Sequence, residues 1–154
     1  TMSSRLFLNI RERRGLCYFI RANISAYEDI GSFVVHAGLN KEKIYEALEA
    51  IKEELNNIRD KGITEEELKK AKDNIRGRTI LKMENSNAHL NFLISQELLG
   101  QPIKDLETKL KELDKITIKQ VNELTKQIVK WPQSNLAVIG SFENKNKFLK
   151  ILNK

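Results

Sequence analysis

An arginine and a tyrosine, seven positions apart, are the side chains in this 154-residue chain that are best suited to chemistry. Arg11 lies near the end of a predicted helix, and Tyr18 opens the strand that is predicted to follow. A phenol can donate a hydrogen bond to a carbonyl oxygen that gains negative charge, and a guanidinium offers a rigid fork of donors. From the residues alone, however, a surface ion pair and a half-buried strand tyrosine are the preferred interpretation.

A short helix and a hairpin are predicted to position these two side chains. Ser3 and Ser4 are favourable N-cap residues for the helix, and Gly15 is typical of a left-handed C-cap. Residues 16–25 and 33–39 then alternate in side-chain character with the period of a strand. Because the connection between them contains glycine, the two runs predict an antiparallel hairpin.

Amphipathic helices are predicted for most of the remaining chain. The clearest helical stripe consists of Ile44, Leu48, Ile51, Leu55 and Ile58. Capping boxes at Thr64 and Thr117 predict two further helix starts. Residues 135–141, NLAVIGS, are apolar without alternation and predict a short central strand, and a last helix is predicted from about Glu143. The expected fold class is α+β, a small, largely antiparallel sheet with helices packed on one face, in a single domain over residues 1–154.

Composition and charge disfavour several classes of protein. The formal net charge is +6, but Lys and Glu interleave along the predicted helices as on a solvated face. Arg11, Arg13 and Arg14 form the densest positive spot without an aromatic stacking platform, so nucleic-acid binding is the least favoured interpretation. No apolar run is long enough for a transmembrane helix. The single Cys17 cannot form an internal disulfide, which suits a reducing compartment or an indifferent one. The sequence leaves the localisation unknown, and a soluble, cytoplasmic protein is the favoured expectation.

No metal or cofactor site is predicted in the chain. A zinc-binding helix of the His-x-x-Glu-His type is missing, and so are a nucleophile elbow, a phosphate-binding loop and a dinucleotide fingerprint. The two histidines, His36 and His89, stand isolated from each other and from Cys17, and do not supply a conventional zinc shell.

The segment from Met2 to Tyr18, MSSRLFLNIRERRGLCY, resembles the C-terminal half of pitrilysin/insulinase-type zinc peptidases, the group that includes mitochondrial processing peptidase. The shared features are the SSRLF helix start and the following RERRGLCY, which leads into a strand. Cys17 is a mild departure, because the family usually has a small residue such as alanine there. Weaker agreement continues in order along almost the whole chain.

The resemblance implies two related halves that close around a peptide, with zinc bound by the N-terminal half. It also implies that Arg11 and Tyr18 are catalytic residues that bind the substrate carbonyl or oxyanion across the chamber. The preceding strand and helix of the half-domain, and the whole zinc half, are expected to lie outside this chain. The expected function is therefore the substrate-binding C-terminal part of a zinc metalloendopeptidase, inactive alone and without a cofactor of its own.

A non-catalytic subunit that binds peptides or scaffolds a complex is the alternative, since such families include inactive partner subunits. The partners implied by the resemblance are a peptide substrate and the N-terminal zinc-bearing half. An exposed sheet edge and apolar face would also favour self-association. No nucleic-acid or membrane partner is expected.

Overall fold

The computed structural model describes residues 2–142 and 144–153. Its fold is α+β, as the sequence predicts, with a two-stranded antiparallel sheet formed by β1 (Cys17–Ala26) and β2 (Gly31–Leu39). The helix that precedes the hairpin is a π-helix, Phe7–Arg13, instead of the α-helix that the spacing predicts. π-helical turns are rare and occur frequently at functional sites.

Six α-helices follow the hairpin in the described part of the chain. They are α1 (Ile44–Lys61), α2 (Glu65–Met83), α3 (Ser86–Leu98), α4 (Leu106–Lys115), α5 (Ile118–Ile128) and α6 (Lys145–Asn153). The predicted start of the last helix, Glu143, lies outside the described residues.

Contacts within the chain define two compact units. The first comprises the described residues of 1–25, 32–62 and 124–154, and the second comprises residues 26–31 and 63–123. The single domain over residues 1–154 stays a prediction.

The core of the first unit lies between one face of the hairpin, the π-helix and α1. Ile10 and Leu16 are its largest fully buried side chains. Ala47 and Ala50 of α1 are buried against them in the same cluster, and their small side chains permit a close approach of the helix backbone. The predicted packing of helices on one face of a small sheet is confirmed.

The buried face of α1 is rotated from the predicted stripe. Ile44 and Ile51 are buried as expected, but Leu48, Leu55 and Ile58 are only partly buried. The remaining positions on the buried face are filled by two alanines and a glutamate, Ala47, Ala50 and Glu54. Hydrophobic periodicity finds the large apolar residues, whereas the small ones mark where the neighbouring backbone comes closest.

Local capping signals are confirmed in the second unit. Thr64 and Glu67 form the predicted capping box at the start of α2. Thr117 and Gln120 exchange the same pair of hydrogen bonds at the start of α5. Such caps satisfy backbone N–H groups that the first turn of a helix leaves without partners. The boundaries of these helices are therefore readable from the sequence.

The predicted central strand at residues 135–141 is wrong. No strand is formed there, and the only sheet in the described residues is the two-stranded hairpin. Ile139 is fully exposed, and Leu136 and Val138 are at least one-third exposed. An apolar run becomes a strand only where a neighbouring strand can pair with its backbone, and no described residues of this chain pair with it.

Replacement of Gly15 by alanine should destabilise the fold by about 1 kcal/mol, because Gly15 has φ +59° and an added Cβ would be strained there. No atom lies within 4 Å of that Cβ, so the cost is conformational and not steric. Urea unfolding, followed by circular dichroism and by the fluorescence of Trp131, measures the change in the free energy of unfolding.

Gly77→Ala is the matched control, because Gly77 lies inside α2 with equally open surroundings. Alanine should stabilise the helix there by about 0.5–1 kcal/mol. Destabilisation by both substitutions would contradict the assignment of Gly15 as a conformational requirement.

Candidate functional site

Arg11 lies in the last turn of the π-helix, where two contacts with near neighbours orient its side chain. Its guanidinium carbon is 4.8 Å from the centre of the Phe7 ring, within the range of a cation–π interaction. Its Nη1 atom is 3.7 Å from a carboxylate oxygen of Glu12. The side chain remains 41% exposed, so the guanidinium is oriented but still accessible to a ligand.

A short turn links Arg11 to the strand that carries Tyr18. The N–H of Gly15 donates to the carbonyl of Arg11 at 3.1 Å, and the N–H of Leu16 donates to the carbonyl of Ile10 at 3.0 Å. The left-handed conformation of Gly15 allows the chain to reverse within this distance, as the sequence predicts. The path from one candidate residue to the other is therefore fixed by backbone hydrogen bonds and by two buried side chains, Ile10 and Leu16.

Tyr18 is the second residue of β1 and is 76% exposed. Cys17, directly before it, and Ile20, two positions after it, are buried in the core and anchor the strand. The adjacent Phe19 is 50% exposed. Within the described residues, the Tyr18 hydroxyl has no hydrogen-bond partner. The half-buried strand tyrosine expected from the residues alone is thus not what the structure contains, and the phenol is available as a donor.

The positive charge of Arg11 acts on Cys17, the first residue of β1. Burial raises the pKa of the Cys17 thiol above its usual value, and the positive charge of Arg11 opposes that rise. Cys17 directly precedes Tyr18 in β1. Cys17 itself is a buried residue of β1.

The three arginines that cluster in the sequence contact three different neighbours. Arg14 pairs with Glu53 of α1 at 2.9 Å, and Arg13 donates to Asn9 at 2.8 Å. Arg11 alone contacts the ring of Phe7. Because each of the three has a different neighbour, the basic residues of this turn serve separate contacts.

Phe7 is the residue of this site that the sequence interpretation missed. As an apolar residue of the helix, it packs against the core. Its ring also supports the Arg11 guanidinium. The available signal was the spacing of four residues between an aromatic residue and an arginine, which places two side chains together on one helix face.

Metal ligands are not grouped in this part of the protein. Among residues 2–142 and 144–153, no three His, Cys, Asp or Glu side chains are arranged to hold a metal ion. Across the same residues, the structure has no helix with the length and apolar character needed to cross a membrane.

Similarities to known proteins cover nearly the whole chain. Residues 1–75 match the family model described as the peptidase M16 inactive domain. An uncharacterized zinc protease of Mycobacterium leprae is 34% identical over 94% of this chain and 32% of its own length. A non-peptidase homolog from Helicobacter pylori is 29% identical over 90% of this chain and 32% of its own length. The chain therefore spans about a third of the length of these relatives.

A solved structure has the same fold. It is described as a peptidase M16 inactive domain from Pseudomonas fluorescens, and it superposes with a TM-score of 0.73. The match covers 84% of this chain and 31% of the solved chain, at 21% sequence identity. At this level of sequence identity, the similarity shows the fold alone.

Phe7→Leu should free the Arg11 side chain, because the aliphatic residue keeps the core contact and removes an attraction of about 0.5–1 kcal/mol. In NMR spectra, the Arg11 Nε–H order parameter should fall and the ring-current shift of its side-chain protons should disappear.

Phe19→Leu is the control, since Phe19 contacts Arg21 in the same way at 5.8 Å. It should change the signals of Arg21 and leave those of Arg11 unaltered. An Arg11 side chain that keeps its order parameter in Phe7→Leu would refute the role of the ring.

Arg11→Gln should raise the pKa of Cys17 still further, because burial already raises it and the opposing positive charge is removed. The thiolate would then form at higher pH than in the unmodified chain. The Cys17 ¹³Cβ chemical shift as a function of pH reports this titration directly.

Arg14→Gln should leave that titration unchanged, because Arg14 pairs with Glu53. Identical Cys17 titrations in the Arg11→Gln variant and the unmodified chain would show that the guanidinium does not reach the start of β1.

Proposed function

Because the chain belongs to the peptidase M16 family, as its C-terminal inactive domain, we propose that it provides the substrate-binding side of a zinc metalloendopeptidase. In this proposal the peptide bond is hydrolysed on the N-terminal half, and this chain contributes the donors that hold the substrate. The chain alone is expected to hydrolyse nothing.

The exposed Tyr18 phenol is the observation that carries the proposal. It projects from a strand that Cys17 and Ile20 anchor in the core, and its hydroxyl makes no hydrogen bond with the described residues. A phenol without an internal partner can donate a hydrogen bond to the carbonyl oxygen of a peptide as that oxygen gains negative charge. Tyr18 is accordingly assigned the hydrogen bond to that oxygen.

Arg11 is assigned to a second carbonyl oxygen or to the same developing charge. Its guanidinium rests against Phe7 and retains exposed N–H groups, which suits it to recognise a peptide backbone from a fixed direction. The short turn through Gly15 supports joint action of the two residues, because it links their backbones with few degrees of freedom.

The zinc ion of the family is assigned to polypeptide other than this chain. The described residues contain no set of donors that fits it. The N-terminal half of the family is therefore the proposed partner, and a peptide is the proposed substrate.

Self-association is a further proposed property of the hairpin. Large apolar side chains at its far end are strongly exposed, among them Ile24 at 76% and Ile30 at 70%. A two-stranded sheet also has unpaired backbone groups along its outer edges, which favours pairing with another chain.

A non-catalytic peptide-binding subunit is the second candidate. Its support is the Helicobacter pylori relative, which is described as a non-peptidase homolog although it is similar along 90% of this chain. In that case the hairpin edge would hold an extended peptide by strand addition, and Tyr18 would have no catalytic role.

Tyr18→Phe should lower kcat for a peptide substrate by about a hundredfold, since one oxyanion donor is lost. The measurement uses the chain reconstituted with its zinc-bearing half, and KM should change little because the ring is retained. Tyr27→Phe, at another exposed hairpin tyrosine, should leave kcat unchanged.

Unchanged turnover in Tyr18→Phe would refute the catalytic role. Peptide binding that survives substitution of both Arg11 and Tyr18, without any hydrolysis in the reconstituted complex, would support the second candidate instead.

A further inference from the structure

We propose that a cleft beside the π-helix binds the carboxylate side chains of an acidic peptide segment. The cleft has a volume of about 350 Å³ and lies within the first unit. One wall comes from Arg5 and the π-helix, and the other comes from the second half of α1. Neither Arg11 nor Tyr18 lines it, so the proposal is independent of the catalytic role assigned to them.

Hydrogen bonds between the two helices fix the floor of the cleft. Glu54 is a charged residue at a buried position, only 7% exposed, and its Oε1 atom accepts a hydrogen bond from Asn9 Nδ2 at 2.8 Å. The Oδ1 atom of Asn9 in turn accepts from Arg13 Nη1, also at 2.8 Å. Because both ends of the Asn9 amide are engaged, Arg13 is held in a defined position at the cleft.

The lining of the cleft has an excess of positive charge. Arg5, Arg13 and Lys61 face a single carboxylate, that of Glu54. Arg5 is anchored by donating from Nη2 to the carbonyl of Gly62 at 3.2 Å. The Arg13 side chain makes no other hydrogen bond or ion pair with the described residues than the bond to Asn9. The Lys61 ammonium makes no hydrogen bond or ion pair with the described residues. Two cations are therefore available to an anionic ligand.

The remaining lining favours a carboxylate on a peptide over a phosphate. The buried Glu54 would repel a doubly charged group more strongly than a singly charged one. The side-chain amide of Asn57 offers both a donor and an acceptor, which suits a peptide backbone. Leu8, 40% exposed, provides an apolar surface for the methylene groups of a glutamate side chain.

A labelled octapeptide of alternating alanine and glutamate, blocked at both ends, is a direct probe. We expect its fluorescence anisotropy to rise with the concentration of the 154-residue chain at low ionic strength, and to rise less at high ionic strength. The same peptide with glutamine in place of glutamate should not bind. Arg13→Gln and Lys61→Gln should each weaken binding by about threefold to fivefold.

Arg78→Gln and Lys82→Gln are the matched controls. Both residues are exposed cations of α2 that do not line the cleft, and each control removes the same charge. The proposal is overturned if the glutamine peptide binds as well as the glutamate peptide, or if the control variants lose as much affinity as the cleft variants. Displacement of the peptide by an equal concentration of inorganic phosphate would overturn the preference for carboxylates. Circular dichroism confirms that each variant is folded.

Discussion

The contact between Ile10 and Leu16 is the constraint on which the candidate site depends. The two side chains are fully buried on either side of the Gly15 turn, and their backbones are joined by a hydrogen bond. Burial of two such side chains contributes several kcal/mol, far more than any exposed ion pair nearby. The helix end and the start of β1 therefore form one rigid corner, and Arg11 and Tyr18 take their positions from it.

Charged residues around this corner are distributed among separate contacts. One arginine rests on an aromatic ring, a second pairs with α1, and a third reaches the cleft through Asn9. The sequence shows only that the arginines follow one another closely. Charge composition does not specify the direction in which each side chain leaves the backbone. The packing of the π-helix against α1 supplies that direction, and it divides one positive segment into two candidate binding surfaces.

Local signals made much of the fold predictable. Gly15, Thr64 and Thr117 were informative because their conformational and capping requirements involve only neighbouring residues. The strand predicted at residues 135–141 does not form, because strand formation depends on a partner that the segment itself does not encode. At the site, the two candidate residues were found through the family resemblance, whereas the support from Phe7 and the burial of Glu54 required the packing of the π-helix and α1. Tertiary contacts of this kind leave little trace in periodicity.

The π-helix has a consequence for how this corner can vary among proteins. A π-helix accommodates one more residue between hydrogen-bonded groups than an α-helix does. Loss of a single residue from Phe7–Arg13 would return the segment to α-helical winding while leaving the caps and the glycine turn intact. The arginine would then leave the helix in a different direction, with the fold unchanged. A one-residue gap at this helix in a sequence alignment therefore marks a change in function-bearing geometry. It separates chains that direct the arginine as Arg11 is directed here from chains that direct it elsewhere.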